Sequence, residues 1–315
     1  MMTSRSPSAP AQSSSDGFIV VAALWILTAL ATLASVYAVY VANTAIAAAV
    51  GDDVIQADAL VSASLEITAY QLTAARAEER PTRGQFAFRM GRVKVAADFC
   101  SEAARIDLNM ASKELLAGLF AALGAHPDDA AQYADRIIGW RTAPSSGSQD
   151  KEESLYRAAG LDYGPRGGPF AHGNELALVL GLPPGMVERA MRYVTVYSGR
   201  AEINVLDAAP EVIAALPGMS PERLNAVLGG RASMTAGSTS TLLGPAQGNV
   251  TTEGSKATRV TVRLDFDNGR RIVSEAVILV GRGDEPFRVL SWQDDIDTQP
   301  SGVQAVAQVA RGGRR

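Results

Sequence analysis

Phe18-Ile19-Val20-Val21-Ala22-Ala23-Leu24-Trp25-Ile26-Leu27 opens a run that continues to Val50, 33 residues, without one charged side chain. About 20 apolar residues suffice to cross a bilayer as a helix, so this run predicts a single membrane-spanning helix at the start of the chain. A polar stretch rich in Ser, Ala and Pro ends in Asp16-Gly17 before it, and Asp52-Asp53 closes it on the far side. The run is too long for the apolar core of an ordinary secretory signal, which places residues 1–17 as a leader and the cut before the helix. Arg5 precedes the helix and the two aspartates follow it, a charge order that favours an N-terminus inside.

Outward from this run, Val54, Val61, Leu65, Thr68 and Leu72 fall on one helical stripe interrupted by Asp58, and Pro81 is a natural stop. One helix from Phe18 to about Arg80 is the expected arrangement, with two helices broken at Gly51 as the alternative. The roughly 265 residues beyond the apolar run can bury a substantial core. Lys plus Arg number 29 against 33 Asp plus Glu, a net charge of −4 that argues against a nucleic-acid surface. Cys100 is the sole cysteine, which excludes an intramolecular disulfide and a cysteine zinc cluster, and it reads as a small buried residue.

Residues 85–97 alternate around Met90-Gly91 and predict two short strands. At the other end, residues 258–266 alternate strictly, Asp267-Asn268-Gly269 is a hairpin turn, residues 270–280 return, and a last strand runs from Pro286 to Trp292. The sheet is thus split, with first part 81–99 and second part 258–292, and the chain between them is inserted. The resulting class is α+β: a long N-terminal helix on a small antiparallel sheet, with a large, mostly helical domain over 100–231, a flexible Ser/Thr/Gly loop over 232–257 and a disordered tail over 293–315.

The insert contains a repeat. Ala104-Arg105-Ile106-Asp107-Leu108-Asn109-Met110-Ala111 leads to Leu119, and Ala201-Glu202-Ile203-Asn204-Val205-Leu206-Asp207-Ala208 leads to Leu216; the next helix repeats as Ala134–Arg141 and Leu224–Arg231. In the second copy Asp207 can cap the helix, Pro210 sits in its first turn, and Val212, Ile213 and Leu216 form the buried face. In the first copy Met110 occupies the capping position, so either Asn109 caps or the helix starts differently. Thr142 to Gly173, rich in Gly, Pro and Ser and without the Gly-Lys-Ser/Thr ending of a phosphate loop, reads as irregular surface chain. His126 and His172 are the only histidines, both in Gly/Pro-containing loops and neither in a metal or triad motif, so no enzyme is expected. The acidic clusters at 52–53, 128–129 and 294–297 read as solvated faces.

A glycine followed by Phe, then a long uncharged helix running onto a small sheet, resembles the type IV pilin-like family. In that family a prepilin peptidase cuts after the glycine, here Gly17, and methylates the new N-terminus, here Phe18. Pilins carry a glutamate at the fifth residue of the mature helix; this chain has Ala22. The minor pseudopilins of type II secretion include a large member that lacks this glutamate and carries a helical insert in its sheet. The segment Ile203 to Met219 is similar to its Ile-Asn-Val-Asn-Thr-Ala-Pro stretch, with Leu206-Asp207-Ala208 in place of Asn-Thr-Ala, and Val289-Leu290-Ser291-Trp292 resembles its terminal strand. Asp16 departs from the usually basic leader.

The resemblance implies a subunit at the tip of the pseudopilus that initiates and caps assembly for export of folded proteins across the outer membrane. It implies minor pseudopilins I and J, the prepilin peptidase, the inner-membrane secretion platform and membrane lipid as partners, with no nucleic acid. It places the chain in the inner membrane as a single-pass protein with its bulk periplasmic. It also implies calcium in the insert, although no loop has a calcium-ligand spacing, so metal ligands stay unassigned. The alternative is a membrane-anchored helix-hairpin-helix DNA-uptake protein, since the repeated hairpin is similar to that module, but neither turn carries its Gly-X-Gly.

Overall fold

The computed structural model describes residues 15–76, 79–144, 151–231, 248–281 and 285–294; side chains of residues 15–17 and 45–52 lie outside this description. Two compact units are present, residues 1–59 and 60–315. The first helix, α1 (Ser15–Ala74), is 60 residues long and passes through Gly51 without interruption, so the two-helix alternative does not hold. It begins three residues before Phe18. Its membrane-compatible part is Phe18–Thr44, with a mean hydropathy of 2.4 and no buried residue in its most apolar window. There the hydroxyls of Thr28, Thr32, Ser35 and Thr44 each donate to the carbonyl four residues back at 2.8–2.9 Å, which satisfies the threonine and serine hydroxyl hydrogens of this segment within the helix.

The helix stops at Ala74, not Arg80. Pro81 disfavours helical backbone at the residue before it, and Glu79 N–H donates to Arg76 O. In the second unit Leu60, Val61, Leu65, Ala69 and Leu72 are each at most 1% exposed, and Ser64 and Thr68 on the same stripe turn their hydroxyls back onto the helix. Val54, expected on this stripe, is 43% exposed.

Five antiparallel strands form the sheet in the order β1-β2-β7-β8-β9: β1 (Arg83–Met90), β2 (Val93–Ser101), β7 (Ala257–Phe266), β8 (Arg271–Val280) and β9 (Phe287–Asp294). Gly91-Arg92 closes the first hairpin, with Gly91 at φ +59°, and Gly269 at φ +85° serves the second. Residues i and i+2 of a strand share a face. One face is therefore apolar: Val93, Val95, Ala97 and Phe99 lie opposite Phe266, Leu264, Val262 and Val260, and all are buried. Neither this face nor the buried helix stripe contributes to the core of the insert. The opposite face carries Gln85, Asp98, Thr261 and Glu275 in one row and Arg83, Cys100 and Arg259 in the next.

β2 and β7 are neighbours in the sheet, and the helical domain leaves and returns between them. It holds α2 (Lys113–Ala122), α3 (Pro127–Arg141), α4 (Lys151–Ala158), α5 (Pro184–Ala190), α6 (Pro210–Ala214) and α7 (Pro221–Gly230), with short strands β3 (Ile106–Asp107), β4 (Val194–Thr195), β5 (Ile203–Asn204) and β6 (Val250–Thr251). The repeat extends to individual hydrogen bonds. β3 pairs in parallel with β4, and β5 with β6. Leu108 N–H donates to Thr195 O and Val205 N–H to Thr251 O; Asp107 accepts from Asn109 N–H, and Asn204 from Leu206 N–H, on their side-chain oxygens. At the end of the second helix, Arg141 donates to Leu108 O and, at 2.7 Å, to Ala111 O, and Arg231 donates to Ala208 O. Each arginine closes the turn of its own copy. Arg141→Ala is expected to cost about 2 kcal/mol, because two part-buried carbonyls lose a charged donor, and Arg231→Ala about half that; urea unfolding of the full chain is the measurement.

Several sequence expectations are corrected here. Of the two readings for the first copy, the helix starts differently: Ser112 caps α2 by accepting from Leu115 N–H, while Asn109 binds both backbone groups of Phe170. Asp207 does not cap α6, whose N-cap is Ala209; its carboxylate instead accepts from Asn204 Nδ2 and faces Arg83 at 3.8 Å. Thr142 to Gly173 is more than surface chain: α4 lies in it, Tyr156 is fully buried, and the Tyr156 hydroxyl accepts from Leu180 N–H. In the segment read as a flexible loop, Val250–Thr251 is paired and residues 232–247 lie outside the described residues. Of the segment read as a disordered tail, Gln293 and Asp294 belong to β9 and the rest lies outside the described residues.

Candidate functional site

The first candidate site is the start of α1. Gly17 and Phe18 are both helical, Phe18 is 76% exposed, and Ala22 follows one turn later on the same side of the helix. No acidic or basic side chain occurs between Phe18 and Thr44.

The second is the junction where the insert leaves the sheet. At the end of β2 the chain makes a one-turn 3-10 helix, Glu102–Ala104, capped by Ser101. That turn puts the Glu102 carboxylate, fully buried, against β7 of the sheet. Arg259 on β7 binds it through two nitrogens, at 2.7 and 3.1 Å, and spends its third on Glu275 of β8; Thr195 Oγ1 on β4 also donates to Glu102. One carboxylate thus joins two sheet strands to a strand of the insert. The returning chain is tied beside it: Ser255 N–H donates to Ser101 Oγ at 2.7 Å and Ser255 Oγ to Ala257 O at 2.7 Å.

The electrostatics follow from burial. Desolvation alone would raise the Glu102 carboxyl, but Arg259, Arg105 and the Thr195 bond outweigh it and hold the group below the ordinary carboxylate value. Burial opposes the charge of Arg259, and Glu102 and Glu275 overcome that and raise its pKa. For Arg105 the balance falls the other way: burial, then the nearby Arg259, lowers its pKa by more than Glu102 and Glu275 raise it. Cys100 is pushed up to about 11, by burial first and Asp207 second, which keeps it a neutral thiol. Asp107 is raised by burial even though the N–H groups of Asn109 and Gly199 bind it.

The two histidines are structural. His126 is the N-cap of α3 and His172 caps the 3-10 turn Gly173–Leu178, each accepting a backbone N–H on Nδ1. Asp128 and Asp129 occupy the first turn of α3, where negative charge suits the helix N-terminus. Among the described residues no three His, Cys, Asp or Glu side chains converge on a metal position, so these residues offer calcium no carboxylate cradle. The junction network was not visible in the sequence: Glu102, Thr195, Arg259 and Glu275 lie far apart in the chain, and Arg259 and Glu275 look like ordinary polar positions of alternating strands.

Comparisons with known proteins give three results. Residues 101–199 match the family model described as type II secretion system protein K. The matched segment starts where β2 ends and closes at Gly199, whose N–H binds Asp107 of the first repeat at 2.7 Å. The sequence matches no curated protein. A chain in the crystal structure of the GspK-GspI-GspJ complex from the enterotoxigenic Escherichia coli type 2 secretion system has a TM-score of 0.52 and 16% sequence identity, covering 77% of this chain and 95% of that one. At that identity the likeness is one of fold: a pilin-like α+β architecture. The segment inserted between β2 and β7 is thus the part of the chain that is similar to type II secretion system protein K, and the likeness of the whole is to the fold of a chain in that complex.

Proposed function

We propose that the chain is a minor pseudopilin at the tip of the type II secretion pseudopilus, where it initiates and caps assembly for export of folded proteins across the outer membrane. The observation that carries this reading is the protein K segment, residues 101–199, inserted between two adjacent strands of a sheet in a chain that begins with one apolar helix. The helix fits a single-pass anchor; the inner membrane as its site, with the periplasm as the compartment of the bulk, belongs to the proposal.

Ala22 supports the place at the tip. In a filament of apolar helices, a carboxylate on one subunit and the terminal ammonium of the next neutralise two charges that are costly in hydrocarbon. A subunit with Ala22 has no carboxylate there to receive a subunit above it. The complex formed by GspK, GspI and GspJ supports minor pseudopilins I and J as the corresponding partners. Gly17 and Phe18 would be the cleavage and N-methylation positions for the prepilin peptidase, ahead of docking to the inner-membrane platform.

The DNA-binding alternative is disfavoured by the hairpins themselves. A phosphate would need bare amides at a helix start, whereas α3 begins with Asp128 and Asp129 under a His126 cap, and Ser220 caps α7 ahead of Glu222.

Mass spectrometry of the membrane-extracted protein is expected to find Phe18 as an N-methylated first residue, and site-specific cross-linking to find the chain at one end of the filament. An intact leader in cells containing the peptidase, or copies cross-linked all along the filament, would overturn the reading.

A further inference from the structure

Between the insert and the polar face of the sheet lies a cavity of about 530 Å³. Its charges are unequal. Arg83, Arg105, Arg192 and Arg259 line it, against Glu102, Asp207 and Glu275, while Asp98 on its wall is bonded to Arg263. Arg259 is saturated by Glu102 and Glu275, and Arg83 faces Asp207. Arg105 and Arg192 remain, and among the described residues neither guanidinium makes a hydrogen bond or an ion pair. For exposed Arg192 that is unremarkable, because water serves it. Arg105 is half-buried beside the buried Glu102–Ala104 turn, and the carboxylates nearest it, Glu102 and Glu275, already bind Arg259.

A guanidinium has five N–H donors in a planar fork, matched to two oxygens of a carboxylate, sulfate or phosphate. The volume is within the range of small-molecule sites, and Tyr193 and Thr261 add polar groups to the wall. We propose that this cavity binds a small multivalent oxyanion, with Arg105 as its principal donor and Arg192 at the mouth. A dianion matches the two charges of Arg105 and Arg192 and supplies the hydrogen-bond acceptor that no group among the described residues gives Arg105. It would lie near Arg83 of β1 as well.

The test is isothermal titration of the full chain, purified in detergent, with sodium sulfate and with sodium citrate at constant ionic strength, and with sodium chloride as the control. Saturable binding of one anion per chain is expected for sulfate or citrate and none for chloride. Arg105→Gln should weaken it at least tenfold, Arg192→Gln about threefold, and Arg200→Gln, which removes a cation outside the cavity, should leave it unchanged. Absence of saturable binding of both anions, or equal affinity in the Arg105→Gln protein, overturns the proposal. If Arg105→Gln does not fold, Arg192→Gln decides: wild-type affinity in that variant overturns it too. Binding only to an acidic segment of a partner pseudopilin, and to no free anion, would also count against it.

Discussion

Arg259→Met is expected to lower the stability of the full chain by about 3–5 kcal/mol, the cost of breaking a buried ion pair from one side. The reason lies in Glu102, which is fully buried and keeps only the Thr195 hydroxyl once Arg259 is gone, while Glu275 loses its partner as well. Denaturant unfolding followed by circular dichroism measures the loss; a change under 1 kcal/mol would show that water reaches Glu102. The network should matter more for geometry than for stability, since apolar replacement of all its members at once need not destabilise. The same group sets an acid limb. The Glu102 pKa is lower in the folded protein than its ordinary value of 4.5, so its contribution is fully present above about pH 4.5 and is lost as pH falls through the folded value. Asp107, raised by burial, works in the opposite sense, its unfavourable ionisation being relieved as pH falls through its folded pKa. Stability should therefore decline below pH 4.5 with a slope of at most about 1.4 kcal/mol per pH unit from Glu102, and Glu102→Gln should flatten that slope.

Gly118→Ala is expected to destabilise by about 3 kcal/mol, whereas Gly229→Ala should stabilise by about 0.5–1 kcal/mol. Both glycines are in helices, where alanine is intrinsically preferred by about 1 kcal/mol. What separates them is the neighbour. A Cβ on Gly118 would lie 2.9 Å from the Ala215 carbonyl carbon and closer still to its oxygen, so α2 and α6 would have to move apart along a backbone contact that has no rotamer to yield. At Gly229 an added Cβ meets nothing within 4 Å, and the helix preference acts alone. Thermal melts of the two variants should shift in opposite directions. A neutral Gly118→Ala would mean that the two repeat copies are not held in register by this contact.

Much of the sheet was legible because a two-faced strand must alternate. The register Val93↔Phe266 to Phe99↔Val260 is the one that puts every alternate apolar residue of both strands on one face, and Asp267-Asn268-Gly269 fixes the second hairpin. The repeat was legible from Ile106-Asp107 and Ile203-Asn204, although its capping was not. The sequence suggests a cap at Asp207, yet that carboxylate is drawn to Arg83 and Asn204, and Ser112 rather than Asn109 starts α2. Caps depend on where the chain enters a helix, and that entry is set by the parallel pairing of β3 with β4 and of β5 with β6. Tyr156 was missed for a related reason: its surroundings are rich in Gly, Pro and Ser, so the local composition reads as surface chain while a distant core closes over the ring.

By itself the sequence determined the helix, because 33 uncharged residues cannot be anything that water solvates well, and it determined the paired strands, because their alternation has period two. Its Ala22 and Gly17-Phe18 also stand in the sequence for anyone to read. Only the tertiary structure decided how the insert is fastened, through Glu102 meeting Thr195 and Arg259 at one buried point with Glu275 on the far side of Arg259, and only it left Arg105 facing a cavity with no hydrogen-bond partner among the described residues. The physical reason is range: hydrophobic periodicity acts over neighbouring residues of one element, whereas a buried charge is satisfied by whichever groups the topology brings within a few ångströms, however far apart they are in the chain.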